Sequence, residues 1–282
     1  MENSLDNKFE DSFLPMTSIG NGVGIVVLPD LYCYTDQIVN LVVVGNPIES
    51  NEFVLIDAGM PNSASEIKEM VHDRFGENAR AKAIVLTHGH FDHVGSLVEL
   101  LEEWDVPVYA HVLELPYLTG KEDYPPGDPT VDSGLVAKLS PMFPNHGIDI
   151  SGRVMTLPQD GAIPGMPEWQ WLHTPGHTPG HISLFREHDR TLIAGDAFVT
   201  VKQESLYKVL TQTKEISGPP KYFTTDWKAA LESVKKLEAI KPAVAVTGHG
   251  LPLSGEELAE SLHTLVVHFN DLGMPEEGRY LQ

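Results

Sequence analysis

The stretch THGHFDHVG, residues 87–95, holds three histidines and one aspartate within six positions. His88 and His90 are two residues apart, which places both side chains on the same side of an extended segment. Asp92 and His93 follow in the turn that leads into a predicted helix. Four such residues in so short a stretch favour a metal site over ordinary surface or core positions. The spacing predicts ligands that fan out from the end of a strand.

Three other places in the chain put ligand-type residues directly after an apolar run. The segment 171–183, WLHTPGHTPGHIS, has three histidines spaced by four residues, but its Pro-Gly pairs forbid a helix, so we predict a loop after a strand. Asp196 follows the run TLIAG, and His249 follows the run AVAVTG. Because strands that share a core bring such ends together at one edge of an α/β fold, we expect these side chains to meet.

Together these stretches offer more ligands than one metal ion can use. A single ion takes three or four protein ligands, whereas two ions bridged by Asp196 can use the whole set. All the donors are imidazole nitrogens or carboxylate oxygens, which suit Zn²⁺, Fe, Mn²⁺ or Co²⁺. The candidate metal ligands are five histidines and two aspartates: His88, His90, Asp92, His93, His177, Asp196 and His249.

Strands and helices are predicted to alternate along the chain. Ser63 and Glu66 fit a capping box at the start of one helix, and Asp226 fits the N-cap of another. The predicted strands are 24–28, 38–44, 53–57, 81–87 and 106–110, and then EWQWLHT, ISLFRE, TLIAG and AVAVTG. The predicted helices are 63–76, 96–104, 226–239 and 255–270.

Two segments do not fit this alternation. Residues 117–150 and 199–225 are rich in proline, glycine and aromatic residues, and long insertions of this kind are typical of binding loops. We predict that both are substrate-side loops of one domain that covers residues 1–282, with 1–20 as a loose N-terminal segment.

The composition is that of a soluble globular protein with an acidic surface. Lys and Arg number 19 against 40 Asp and Glu, a formal net charge of −21, which disfavours nucleic acid and membranes as partners. No secretory signal and no run long enough to span a bilayer is found, which favours the cytoplasm. A single cysteine, Cys33, excludes an internal disulfide and a cysteine-rich metal site.

In its motifs the sequence resembles the metallo-β-lactamase-fold hydrolase superfamily, in particular the glyoxalase II and lactonase-like branch. The motifs IDAG, THGHFDH, TPGHTPGH, AGDAF and TGHG occur in order over residues 53–250. The resemblance implies an α/β (α+β) fold, a four-layer αβ/βα sandwich of two mixed sheets with helices outside.

The resemblance also implies a role for each candidate residue. His88, His90 and His177 would hold the first metal ion, Asp92, His93 and His249 the second, and Asp196 would bridge the two. Three further residues would lie around the ligands without binding metal: Asp57, His173 and His181.

The implied function is that of a dinuclear hydrolase for a small ester, lactone or thioester. Two divalent ions, with Zn²⁺ favoured and Fe, Mn or Co open, would activate a metal-bridging hydroxide, and Asp92 would accept the proton of the nucleophile. The expected partner is a small-molecule substrate, and a homodimer is left open. A mononuclear iron enzyme of the persulfide dioxygenase type and a phosphodiesterase or nuclease stay as alternatives, although the acidic surface counts against the nuclease.

Aromatic residues near the motifs are candidates for the substrate pocket. Phe198 lies just after the bridging aspartate, where related lactonases often have a tyrosine, and the two irregular segments supply the others. The pocket candidates are Phe198, Tyr207, Tyr222, Phe143 and Tyr117.

Overall fold

Two β-sheets packed face to face form the centre of this protein, in a computed structural model that describes residues 17–281. The first sheet has seven strands in the order β1-β2-β3-β4-β5-β6-β7. These are β1 (Gly24–Leu28), β2 (Leu31–Asp36), β3 (Val39–Val44), β4 (Glu52–Ile56), β5 (Arg80–Val85), β6 (Val108–Ala110) and β7 (Val154–Thr156). Strands β1 to β4 pair antiparallel, and β4 to β7 pair parallel.

The second sheet has five strands in the order β12-β11-β10-β9-β8. These are β8 (Trp169–His173), β9 (Ile182–Arg186), β10 (Thr191–Gly195), β11 (Val244–Thr247) and β12 (Leu253–Ser254). Strands β10 and β11 are parallel, so their carboxyl ends lie at the same edge, and the other pairs are antiparallel.

Helices connect the strands and cover the outer faces of the sheets. The helices are α1 (Ala64–Phe75), α2 (Phe91–Val94), α3 (Leu97–Glu103), α4 (Leu115–Leu118), α5 (Leu135–Leu139), α6 (Leu206–Thr211), α7 (Trp227–Ala239), α8 (Gly255–Val267) and α9 (Phe269–Leu272). Short 3-10 turns occupy Val112–Glu114 and Ser140–Met142. None of the helices within residues 17–281 combines the length and the hydrophobicity that crossing a membrane requires.

Alternation along the central strands separates the core into layers. In β4, Val54 and Ile56 pack between the two sheets, whereas Phe53 and Leu55 face the layer that contains α1 and α3. Strand β10 alternates in the same way, with its outer face packed under α7 and α8. These strands are buried on both faces, which is why 53–56 and 192–194 are continuous apolar runs. The predicted four-layer fold class is confirmed.

Local capping differs from the prediction at one helix and agrees at another. The Oγ of Ser63 donates to Asp36 Oδ1 at 2.8 Å and makes no cap bond to α1, so the predicted capping box is wrong. Ser63 is held by other partners, since its hydroxyl donates to the buried Asp36 and its backbone N donates to Ser96 Oγ, so neither half of the capping box forms. The side chain of Asp226 accepts from Ala229 N at 2.8 Å, which confirms the predicted N-cap of α7.

The remaining differences concern short elements. Strands β2, β7 and β12 are absent from the prediction, as are helices α5 and α6 within the segments 117–150 and 199–225. Of the predicted N-terminal segment 1–20, residues 1–16 lie outside the described residues. The single-domain assignment stays a prediction.

Candidate metal centre

All seven predicted ligands are buried side chains that converge at one edge of the two sheets. The turn after β5 carries four of them, the loop between β8 and β9 carries His177, and the turns after β10 and β11 carry Asp196 and His249. Their ligand atoms form three groups within which all atoms lie within 4.8 Å of one another: His88, His90 and His177; His88, His93 and Asp196; and Asp92, His93 and His249.

The first ligand group, His88, His90 and His177, consists of three imidazoles. His90 Nδ1 and His177 Nε2 lie 2.9 Å apart. The ring centroid of His88 lies 4.7 Å from that of His90 and 4.9 Å from that of His177, and both pairs of rings are nearly perpendicular. Three nitrogens that converge in this way match the imidazole sites that divalent transition metals occupy.

The second ligand group, Asp92, His93 and His249, contains one carboxylate. His249 Nε2 lies 3.4 Å from Asp92 Oδ2, and the ring centroids of His93 and His249 are 5.7 Å apart. Asp92 and His93 are on α2, so a single helical turn carries both.

Asp196 lies between the two groups. Its Oδ2 is 3.5 Å from His177 Nε2, 3.6 Å from His93 Nε2 and 3.3 Å from His249 Nε2. One carboxylate oxygen therefore contacts a member of the first group and two members of the second group.

Hydrogen bonds from the outward ring nitrogens determine which tautomer two of the imidazoles adopt. Thr87 Oγ1 donates to Asp57 Oδ2 at 2.7 Å, so it accepts from His88 Nδ1, 3.0 Å away. His93 Nδ1 faces Asp57 Oδ2 at 2.8 Å and must donate to that carboxylate. In both rings Nε2 is therefore the nitrogen that faces the centre, and it is the atom that would bind metal when the ring is neutral.

The outward Nδ1 atoms of His177 and His249 are held by hydrogen bonds in the same way. Thr224 Oγ1 donates to the carbonyl of Pro220 at 2.8 Å, so it accepts from His177 Nδ1, 3.0 Å away. His249 Nδ1 lies 2.9 Å from the carbonyl oxygen of Ile38, which can only accept.

Several inward atoms have no hydrogen-bond partner among the described residues. They are His88 Nε2, His93 Nε2 and Asp196 Oδ1, each buried. A buried polar atom without a partner costs free energy, so three of them at one point indicate a bound group that satisfies them. The donor set and these atoms fit divalent metal ions.

The pKa values of the histidines differ between the first ligand group and the second. Burial lowers the pKa of His88 well below its usual range, and the rings of His93 and His90 act in the same direction. Burial, helped by His93, lowers the pKa of His90 to about 3. Burial followed by the ring of His90 also lowers the pKa of His177 well below its usual range. The first group is therefore neutral at physiological pH, with lone pairs available to metal.

Carboxylates reverse these directions in the second ligand group. Burial lowers the pKa of His249, but Asp196 and Asp92 outweigh it and raise the pKa to about 10. Burial also lowers the pKa of His93, but the carboxylates of Asp196, Asp57 and Asp92 outweigh burial and raise this pKa well above its usual range. The pKa of Asp196 is well below its usual range, because His249 and His93 outweigh the effect of burial.

The three residues predicted to surround the ligands are placed differently from one another. Asp57 accepts from Thr87 N at 2.7 Å as well as facing His93, so it supports two ligand-bearing positions. His181 Nε2 accepts from the backbone N of Asp196 at 2.8 Å. His173 lies away from the ligand groups, where its ring stacks on His111 with centroids 4.2 Å apart.

The residues predicted to line the substrate pocket also occupy different kinds of position. The prediction for Phe198 is wrong, because its side chain is fully buried in the core between the second sheet and α7 and α8. Phe143 contacts the ring of Tyr222, with centroids 5.8 Å apart. Tyr117 stacks on Tyr124 at 3.9 Å. Tyr207 is 73% exposed, and its pocket role stays a prediction.

Two residues that the sequence analysis missed contact the centre directly. The ring of Phe223 lies 4.8 Å from the ring of His90 and also contacts Phe143 and Tyr222, so these three form an aromatic wall beside the first ligand group. Thr224 holds His177, as described above. Neither residue belongs to a motif, and only their position in the segment 199–225 draws attention to them.

Comparison with known proteins gives consistent results. A protein-family model described as the metallo-beta-lactamase superfamily matches residues 34–249. The probable metallo-hydrolase YflN of Bacillus subtilis (strain 168) is 53% identical over 255 residues, which cover 90% of this chain and 97% of that protein. The hydroxyacylglutathione hydrolase GloC of Haemophilus influenzae is 30% identical over 120 residues, which cover 41% of this chain and 49% of that protein. Among solved structures, TTHA1623 in a di-iron-bound form aligns with a TM-score of 0.53 and 27% identity, covering 79% of this chain and 93% of that one.

Proposed function

The chain belongs to the metallo-beta-lactamase superfamily and is a metallo-hydrolase, and we propose that it binds two divalent metal ions and hydrolyses a small ester, lactone or thioester. The position of Asp196 carries the proposal. Its Oδ2 lies within 3.6 Å of one nitrogen of the first ligand group and of two in the second, as a bridge between two ions requires. The seven ligands are His88, His90, Asp92, His93, His177, Asp196 and His249.

Zn²⁺ is the metal we propose, and Fe, Mn²⁺ and Co²⁺ suit the same nitrogen and oxygen donors. When bound, such ions would acidify a water molecule to a pKa near 7 and polarise the oxygen of the scissile group. The di-iron form of the similar protein TTHA1623 supports a dinuclear centre.

Asp92 is the residue that we propose accepts a proton during hydrolysis. Burial raises its pKa, but His93 and His249 outweigh this effect, so that the pKa is below its usual range. The carboxylate is therefore ionised at neutral pH. At 7% exposure it is the most accessible of the seven candidate ligands, which supports it as the group that would take the proton of an attacking water.

The aromatic wall of Phe143, Tyr222 and Phe223 would bind the apolar part of the substrate and exclude water. Burial raises the pKa of Tyr222 well above its usual range, and the charges of Asp92, Glu204 and Asp196 add to this. The phenol therefore keeps its proton and can donate a hydrogen bond to a substrate oxygen. A carbonyl compound with an apolar portion fits this combination.

The acidic composition and one relative support a small-molecule substrate. A formal charge of −21 favours a small molecule over a nucleic acid. The name of GloC, a hydroxyacylglutathione hydrolase, supports thioesters as one class to test.

The first experiment measures metal content by inductively coupled plasma mass spectrometry on protein purified without added metal. We expect about two ions per chain, and turnover of a lactone, ester or thioester that a chelator removes and Zn²⁺ or Mn²⁺ restores. Hydrolysis restricted to phosphodiesters would move the chain to the nuclease branch. About one iron per chain, with oxygen uptake in the presence of glutathione persulfide, would contradict the dinuclear hydrolase and support the redox alternative.

A further inference from the structure

Glu114 is a buried carboxylate outside the ligand set that accepts four hydrogen bonds. It follows β6 in the 3-10 turn. Its Oε1 accepts from Thr178 Oγ1 and from Gly180 N, each at 2.8 Å. Its Oε2 accepts from Gly89 N at 3.0 Å and from the hydroxyl of Tyr124.

Three of these four donors belong to the two loops that carry the first ligand group. Gly89 lies between His88 and His90, and Thr178 directly follows His177. One oxygen of Glu114 thus holds one loop, and the other oxygen holds the second loop.

From this geometry we infer that Glu114 is a positioning residue that keeps the loops of His88, His90 and His177 at metal-binding distance. The inference rests on the metal centre of the proposed function. Hydrogen bonds to a carboxylate are about twice as strong as those between neutral groups, and a buried carboxylate that lost them would be left without solvation. The two loops are therefore fixed to each other through Glu114.

The glycines of both motifs make room for this contact. A Cβ on Gly180 would lie 2.7 Å from Glu114 Cγ and Oε1, closer than real Cβ atoms come. A Cβ on Gly89 would lie 2.7 Å from the hydroxyl oxygen of Tyr124. Glycine is thus required at both positions for the close approach of Glu114 and Tyr124.

Tyr124 links Glu114 to the candidate metal ligand His90. Its ring lies 4.5 Å from the ring of His90, and its hydroxyl also accepts from Gly89 N at 3.0 Å. A shift of Glu114 would therefore change the orientation of His90 as well as the separation of the loops.

Glu114→Gln tests the inference, because it keeps the shape of the side chain but turns one acceptor into a donor that faces other donors. Titration with Co²⁺, followed by visible absorption, measures each ion separately from activity. We expect two Co²⁺ ions to bind the unmodified chain, and one of them to bind about 10–100-fold more weakly to Glu114→Gln, as is usual when outer contacts of ligands are lost.

A second substitution shows which ion is affected. His249→Ala removes one ligand of the second group and should leave only the first ion bound. If Glu114 supports the first group, the double variant of Glu114→Gln and His249→Ala binds no Co²⁺ tightly. If the double variant retains the one ion that His249→Ala binds, at the same affinity, the inference is overturned.

Asp36→Asn is the matched control, because Asp36 is also buried and accepts from Met60 N at 2.7 Å and from Ser63 Oγ at 2.8 Å. It should leave the Co²⁺ affinity of the first group unchanged, whereas equal weakening by both variants would mean a general structural effect and overturn the inference. If Glu114→Gln does not fold, judged by circular dichroism, Tyr124→Phe takes its place with a smaller loss expected in the same ion. Unmodified affinity in the variant tested would overturn the inference, and an unmodified chain that binds no Co²⁺ would overturn the metal centre itself.

Discussion

The first ligand group consists of neutral imidazoles, whereas the second holds its imidazoles among carboxylates. His90 and His177 have pKa values far below the usual range, while that of His249 is raised to about 10 by Asp196 and Asp92. The raised pKa values of His93 and His249 favour charge pairing with the carboxylates of the second group. The first group has no carboxylate of its own, and its His90 and His177 nitrogens meet in a contact between neutral rings at 2.9 Å. The difference teaches that two neighbouring ligand groups can depend on different support: hydrogen bonds to the loops in one, and charge in the other.

Asp196→Asn should have the largest effect, because it removes the one oxygen that contacts both groups. Loss of an outer contact alone costs 10–100-fold in metal affinity or activity, so we expect a loss of hydrolysis greater than about 100-fold. Metal content should fall as well, measured by mass spectrometry on the same sample. Full activity in this variant would contradict the bridging role.

His90→Ala and His249→Ala form a matched pair that tests whether the groups are separate. Each variant should retain about one ion per chain, because the opposite group keeps its three ligands. Isothermal titration calorimetry with Zn²⁺ gives the number and affinity of the remaining ions. The two groups are not independent if either variant loses both ions.

Thr224→Val should weaken only the first group. It removes the hydroxyl that accepts from His177 Nδ1 while keeping the shape of the side chain, so the affinity of one ion should fall about 10-fold. Thr211→Val is the control, since Thr211 is a half-buried threonine of the same segment whose hydroxyl donates to the carbonyl of Tyr207. Equal metal affinity in the two variants would show that the Thr224 contact is unimportant.

Phe143→Ala should have the smallest effect, because Phe143 belongs to the aromatic wall but does not contact a ligand ring. We expect KM to rise about 10-fold with little change in kcat, as is usual when an apolar pocket contact is lost. Phe223→Ala sharpens the test, since Phe223 contacts His90 and should also lower kcat. Steady-state kinetics on the identified substrate distinguishes the two patterns.

Local sequence patterns predict much of this molecule. The central strands and the main helices follow from alternating or helical periodicity, and each ligand follows an apolar run that ends at the same edge. The structure brings all seven candidate ligands together, as the motifs predict.

The rest depends on contacts between distant segments. Phe198 illustrates this, because a left-handed Gly195, with φ 55°, and a shift in strand register turn the chain after β10. Phe198 consequently enters the core instead of the pocket. Thr224 and Glu114 bond to ligand loops 47 and 25 residues away along the chain, and no periodicity marks such pairs.

The ligands from His88 to His249 span more than half of the chain and come from both sheets. An emerging polypeptide therefore cannot assemble the centre until the second sheet has docked against the first. Under the proposed dinuclear centre, complete metal loading would then be a late event, and a truncated chain that ends before β11 would lack His249. Retention of both proposed ions would therefore report that both sheets are in place.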